Sequence, residues 1–157
     1  MNATNLQSSF RRTHVLIVDD DPDALRLLSH HIRTALGDKV ELIEEQDSKK
    51  AAAILMNQMI DVVVTDLDMA DKNGFHMLKT AKSRNLLTQI VIVTAHQSGN
   101  AIRSALTLGA DEFIVKPYAP SDLLGAIGYL SERLKRWRST IDQLNELPVA
   151  DQEVATS

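Results

Sequence analysis

The sequence predicts an α/β fold: a doubly wound, five-stranded parallel sheet with five helices, the last of them extended. Two observations carry this prediction. Five short runs rich in Val and Ile recur along the 157 residues, and several are apolar throughout rather than alternating. Strands buried on both faces of a parallel sheet have that pattern. Between these runs the apolar spacing switches to the three-and-four period of helices, so strand and helix alternate five times.

The elements follow in order. The first strand is read at His14 to Val18, and the helix after it, Asp23 to Leu36, brings Leu25, Leu28, Ile32 and Leu36 to one side. Val40 to Ile43 is the second strand. Ser48 to Met59 is a helix with Ala52, Leu55, Met56 and Met59 on its apolar side and Asp47 as N-cap. Asp61 to Thr65 is the third strand and Gly74 to Arg84 its helix. Gln89 to Val93 is the fourth, followed by a helix over Asn100 to Leu108 that Gly109 stops. Glu112 to Val115 is the fifth, and the last helix starts at Ser121, after Pro117 and Pro120. The reading is of one domain over 13–134, a helical extension over 135–147, and disordered ends at 1–12 and 148–157. Such a sheet is of the flavodoxin-like type. It binds ligands outside the carboxyl ends of its strands, where strand order reverses.

Composition narrows the function. The chain has no cysteine, which excludes disulfides, thiolate metal sites and thiol catalysis. A formal net charge of −4 gives no reason to expect direct nucleic-acid binding. The first thirteen residues contain no signal-peptide core, and the apolar runs, such as Val62-Val63-Val64, are far too short for a membrane span. A cytoplasmic protein without membrane contact is expected. Residues 139–157 are too few to form a further domain.

Polar residues stand at the strand ends. The first strand runs into Asp19-Asp20-Asp21-Pro22, the third into Asp66, the fourth ends at Thr94, and the fifth runs into Lys116-Pro117. Folding would gather carboxylates, a hydroxyl and an ammonium in one pocket. Clustered carboxylates need a cation, and hard oxygen ligands suit Mg²⁺. A carboxylate can attack phosphorus to form an aspartyl phosphate, with a metal, a Lys and a hydroxyl stabilising the charge on the transferring group. Each residue alone has a plainer explanation. Asp21 before Pro22 is best read as a helix cap, Asp66 and Asp68 could be loop residues, Thr94 a strand residue, and Lys116 a solvated Lys. Four such residues at successive strand ends are much harder to ascribe to chance.

The stretches VLIVDDDPD, VVVTDLDMADKNGF, IVIVTAH and GADEFIVKPY resemble the signature stretches of the response-regulator receiver family, in order and spacing, over Thr13 to Leu134. The resemblance implies that Asp66 is the phosphoacceptor and that Asp19, Asp20, Asp66 and the backbone carbonyl of Asp68 bind Mg²⁺. It also implies that Thr94 and Lys116 contact the phosphoryl oxygens, and that Phe113 turns inward as Thr94 is drawn to the phosphate. Gly74 matches the glycine after the acceptor loop, and equally reads as a helix-starting glycine. Asp68, Ala95 and His96 fill variable positions of the family. Ala95 is small enough to leave access, His96 reads as a surface histidine, and Asp68 is expected to orient the water that hydrolyses the phosphate. One departure stands out: Ala70 replaces the Pro usual four residues past the acceptor. The implied partner is a histidine kinase or a histidine phosphotransfer protein. The implied activity is limited to the domain's own phosphorylation and dephosphorylation.

Two other classes compete. Asp66-Leu67-Asp68 also resembles the nucleophile motif of haloacid-dehalogenase-type phosphatases, but in that family the second acidic pair follows the Lys, and here it precedes Asp66. A phosphorylation-independent interaction module is the third reading, and the intact set Asp19, Asp20, Asp66, Thr94 and Lys116 argues against it. Beyond the family pattern, Leu123, Ile127, Leu130, Leu134, Trp137, Ile141 and Leu144 recur in a heptad rhythm. A helix of about 26 residues would be ~39 Å long and outrun the sheet. The first three are read as core contacts, and Leu134, Trp137, Ile141 and Leu144 as the seam of a homodimer.

Overall fold

The computed structural model describes residues 11–70, 74–95 and 97–146. In chain order the elements are β1 (Thr13–Val18), α1 (Pro22–Leu36), a short 3-10 turn (Gly37–Lys39), β2 (Val40–Glu45), α2 (Ser48–Asn57) and β3 (Val62–Thr65). They continue with α3 (Gly74–Arg84), β4 (Gln89–Thr94), α4 (Gly99–Thr107), β5 (Glu112–Val115) and α5 (Pro120–Asn145). The five strands are parallel, in the order β2-β1-β3-β4-β5. The chain leaves β1 toward one edge and returns across it to β3, so the carboxyl ends of β1 and β3 flank the reversal point.

Alternation along each central strand divides the core in two. Val15, Ile17, Val62, Val64, Val91 and Val93 meet Leu25, Leu28 and Ile32 of α1 and Leu123, Ile127 and Leu130 of α5. Leu16, Val18, Val63, Ile90 and Ile92 meet Leu55 of α2, Met77 and Leu78 of α3 and Ala105 of α4. This two-sided burial explains the unbroken apolar runs, each large side chain adding roughly 1.5–3 kcal/mol. β2 is an edge strand and only partly buried, which accommodates its three Glu residues. Local caps match their sequence signals. Asp21 accepts the N–H groups of Asp23 and Ala24, and Asp47 those of Lys49 and Lys50. Gly109, at φ 96, closes α4.

The structure corrects the sequence reading in two places. α2 ends at Asn57, where Gln58 turns extended and its N–H bonds the Ile54 carbonyl. The buried side of that helix is Ala51 and Leu55, while Met56 and Met59 are over half exposed. The second correction concerns α5. Leu134 is only 2% exposed, so it belongs to this domain's interior and not to an exposed seam. Two guanidinium groups hold α5 down one turn further than its apolar spacing reveals. Arg133 donates to Gln89 Oε1 and to the Asp111 carboxylate, and Arg138 donates to Asp61 Oδ1 at 2.5 Å. Asp61 is 1% exposed and also accepts the His14 N–H at 2.8 Å. Beside and beyond that anchor, Trp137, Ile141 and Leu144 are each about 40% exposed. Arg133 lies over the Trp137 ring, 4.8 Å from its centroid. Of the ends read as disordered, Arg11 and Arg12 are described and pair with Asp61 and Asp38; the remainder, with Pro148 onward, lies outside the described residues.

Candidate functional site

Strand register puts the polar residues side by side. Val18 lies opposite Thr65, and Thr94 opposite Val115, so the residues that follow β1, β3 and β5 emerge along one edge. Backbone bonds extend the ladder one step: the Asp66 N–H reaches the Val18 carbonyl at 3.4 Å, and the Lys116 N–H the Thr94 carbonyl at 2.9 Å.

At that edge Lys116 Nζ bonds Asp66 Oδ2 at 2.7 Å and Asp19 Oδ2 at 3.3 Å. The opposite oxygens are held by backbone: Asp66 Oδ1 accepts the Asp68 N–H at 2.9 Å, and Asp19 Oδ1 the Asp21 N–H at 2.9 Å. Asp19 and Asp66 are nearly buried and Thr94 wholly so. Burial pushes the Asp19 carboxyl above the usual carboxylate range, outweighing the Asp21 N–H and the Lys116 ammonium that favour its charged form. Burial alone would lower the Lys116 pKa. The hydrogen bond to Asp66 and the charge of Asp19 overcome it and leave the ammonium held above its ordinary value. Two carboxylates therefore share one cation. A cavity of about 440 Å³ opens beside them, lined in part by Asp19, Asp66, Lys116, Tyr118 and Leu27.

Two other contacts complete the site. Thr94 Oγ1 donates to Asp68 Oδ2 at 2.8 Å. Asp20 does not join Asp19 and Asp66; its Oδ2 accepts the Ala70 N–H at 2.5 Å. Among the described residues no three His, Asp or Glu side chains converge as a ready metal site. The donor chemistry nevertheless fits a hard divalent cation, because among the described residues two nearly buried carboxylates share the one ammonium of Lys116 and leave negative charge uncompensated. Gly74 lies tight against Asp66: a Cβ there would stand 2.6 Å from the Asp66 carbonyl oxygen. Phe113 is half-buried against the α2–α4 side of the core.

Of the residues read from the sequence, Asp19, Asp66 and Lys116 form one contact set, Thr94 and Asp68 a second, and Asp20 faces Ala70 in the segment after β3. Asp21 is a cap, as its place before Pro22 suggests. His96 lies outside the described residues. Sequence reasoning missed the Ala70 N–H as a partner. The signal was present, since Ala carries a donor that Pro lacks. It also missed Tyr118, whose hydroxyl burial pushes above its ordinary pKa beside Lys116 and Asp19.

Comparison with known proteins gives a consistent result. The family model for the response regulator receiver domain matches residues 15–128. The response regulator SaeR of Staphylococcus aureus (strain USA300) is 31% identical over 134 residues, covering 85% of this chain and 57% of SaeR. The chain thus spans little more than half the length of that curated relative. Among solved structures, a CheY-like response regulator receiver domain protein from Methanospirillum hungatei JF-1 superposes with a TM-score of 0.74 at 24% identity. That match covers 80% of this chain and 98% of the other, and shows the shared fold. The chemotaxis response regulator CheY4 of Vibrio cholerae gives a TM-score of 0.68 at 26% identity, covering 76% and 99%. This chain belongs to the response regulator receiver family, the receiving module of two-component signalling.

Proposed function

We propose that the chain is a phosphoacceptor switch: Asp66 takes a phosphoryl group from a histidine kinase or a histidine phosphotransfer protein and signals through a conformational and oligomeric change. The observation that carries this reading is the short contact of Lys116 Nζ with the nearly buried Asp66 carboxylate, with Asp19 on its other side. An Asp66 oxygen attacks phosphorus, the P–N bond to the donor imidazole breaks, and the imidazole leaves with a proton. Lys116 moves its hydrogen bond from the carboxylate to a phosphoryl oxygen, and the Thr94 hydroxyl supplies a second donor. Asp19, Asp20, Asp66 and the Asp68 carbonyl would hold Mg²⁺, which supplies charge neutralisation at the transferring group. The activity ends with the domain's own phosphorylation and hydrolysis. The protein works in the cytoplasm; no described helix is long and apolar enough to cross a membrane. Nothing in this reading calls for direct binding to nucleic acid.

The test is incubation with acetyl phosphate and Mg²⁺ followed by intact-mass measurement. One base-labile phosphoryl group is expected, absent in Asp66→Asn; undiminished labelling of that variant removes the assignment.

The output is a homodimer through α5. Its support is the run of Trp137, Ile141 and Leu144, each near 40% exposed, on the stripe that buries Leu130 and Leu134 further up the helix. Truncation at Arg133 is a poor test, because it also removes the buried Leu134 and the Arg138 anchor. Sedimentation of the full chain beside Ile141→Glu separates these effects. A monomer for both proteins at high concentration, phosphorylated or not, contradicts the dimer.

A further inference from the structure

The Thr94 side chain is fully buried, and its hydroxyl donates to Oδ2 of Asp68 at 2.8 Å. Asp68 stands two residues past the acceptor and is tied to it, since its own N–H donates to Asp66 Oδ1 at 2.9 Å. One short segment therefore links the acceptor carboxylate to the hydroxyl expected to answer phosphorylation. To that hydroxyl, the Asp68 carboxylate offers what a phosphoryl group offers: an anionic oxygen within reach of β4. A hydroxyl has a single proton and donates to one acceptor at a time. We propose that Asp68 is a built-in competitor for the Thr94 proton, holding the switch in its resting position until a phosphoryl oxygen displaces it. The inference rests on the reading of Asp66 as phosphoacceptor.

The two sides of the contact are unequal, and this makes it a workable latch. Asp68 is exposed, so its carboxylate stays within reach of water when Thr94 leaves. The Thr94 hydroxyl is enclosed and has to exchange one protein acceptor for another. A phosphoryl group on Asp66 brings two negative charges close to Asp68 and favours the exchange by repulsion. Asn at position 68 would keep an oxygen acceptor of the same shape without the charge; Ala would remove that acceptor.

The experiment uses the full chain with labelled threonine. Three-bond couplings from the Thr94 methyl carbon to backbone N and C′ report its χ1 rotamer in the unphosphorylated protein. Wild type and Asp68→Asn are expected to show one rotamer, and Asp68→Ala an average. Asp66 phosphorylation by acetyl phosphate should then accelerate in Asp68→Ala by about fivefold, the worth of one net hydrogen bond. Unchanged couplings in Asp68→Ala overturn the proposal. So do averaged couplings with an unchanged phosphorylation rate, which would make the contact incidental to switching. If the wild-type chain takes up no phosphoryl group at all, the reading of Asp66 fails, while the couplings still decide whether Asp68 holds Thr94.

Discussion

A Cβ added at Gly74 would stand 2.6 Å from the Asp66 carbonyl oxygen and 2.6 Å from Leu67 Cα, with the Leu67 carbonyl oxygen at 3.1 Å. Carbon contacts are comfortable at roughly 3.5–4.0 Å, so Gly74→Ala must separate α3 from the Asp66-Leu67 backbone by ~1 Å. These three nearest atoms are all backbone, which cannot swing aside as a side chain would. Overpacking of this kind costs about 1–3 kcal/mol. The better helix propensity of Ala, worth about 1 kcal/mol in a helix interior, offsets little of it, because Gly74 is the first residue of α3. A net loss of about 1–2 kcal/mol is expected, lowering the melting temperature by roughly 3–8 °C. The displacement falls on Asp66 itself, and a misplacement of about 1 Å can cost up to ~100-fold in rate. Acetyl phosphate labelling should therefore slow at least ~10-fold. Gly125 and Gly128 provide the contrast: a Cβ at either meets nothing within 4 Å. Ala at those α5 positions should stabilise by up to about 1 kcal/mol and leave labelling unchanged. Thermal unfolding and labelling rates of the three variants decide the matter. Gly74→Ala that melts and reacts like wild type refutes the argument.

Three further outcomes are expected. Arg138→Ala leaves the buried Asp61 with the His14 N–H and the longer ion pair to Arg11 at 3.6 Å, and should cost about 1–3 kcal/mol by chemical denaturation. In a double-mutant cycle with Asp61→Asn, additive losses would show that the pair is not coupled. Glu44 accepts from Ser29 and Arg33, which lower its pKa, so its stabilising effect is present at neutral pH and disappears as pH falls through the folded-state value. Its partial exposure limits that effect to about 0.5 kcal/mol, and Glu44→Gln should match wild type in acid; a gap that widens in acid contradicts this. Ala70→Pro removes the N–H that Asp20 accepts, and Mg²⁺ affinity measured by calorimetry should rise about threefold, the scale of an exposed hydrogen bond. Unchanged or weaker binding would mean that the Ala70 contact does not withhold Asp20.

The parts of the fold that were legible in the sequence are those set by local or one-dimensional rules. Strands buried on both faces are continuous apolar runs, so the first polar residue after each one marks the sheet edge, and Asp19, Asp66 and Lys116 follow from that alone. Asp21 and Asp47 were legible as caps because a cap and the N–H groups it satisfies lie within three residues. What escaped notice depends on distant partners. Leu134 is buried because Arg133 and Arg138 reach Gln89, Asp111 and Asp61, which spacing along α5 cannot show. The exposure of Met59 follows from where α2 stops, and that of Met56 from the side of the helix that Ala51 and Leu55 turn to the core. At the site, residue types brought the polar side chains to one edge, but the partition of contacts among them depends on side-chain geometry. Thr94 turns to Asp68, and Asp20 turns to an N–H that exists because residue 70 is Ala.

The central claim is that the Asp66 carboxylate forms a bond to phosphorus, and borohydride trapping tests it most directly. An acyl phosphate is reduced at the carbonyl carbon, so tritiated borohydride labels the residue that carried the phosphoryl group. After treatment with acetyl phosphate and Mg²⁺, peptide mapping should place the label at position 66, and Asp66→Asn should abolish it. Label at Asp68, at Asp19 to Asp21, or at no residue of the phosphodonor-treated wild-type chain would contradict the account.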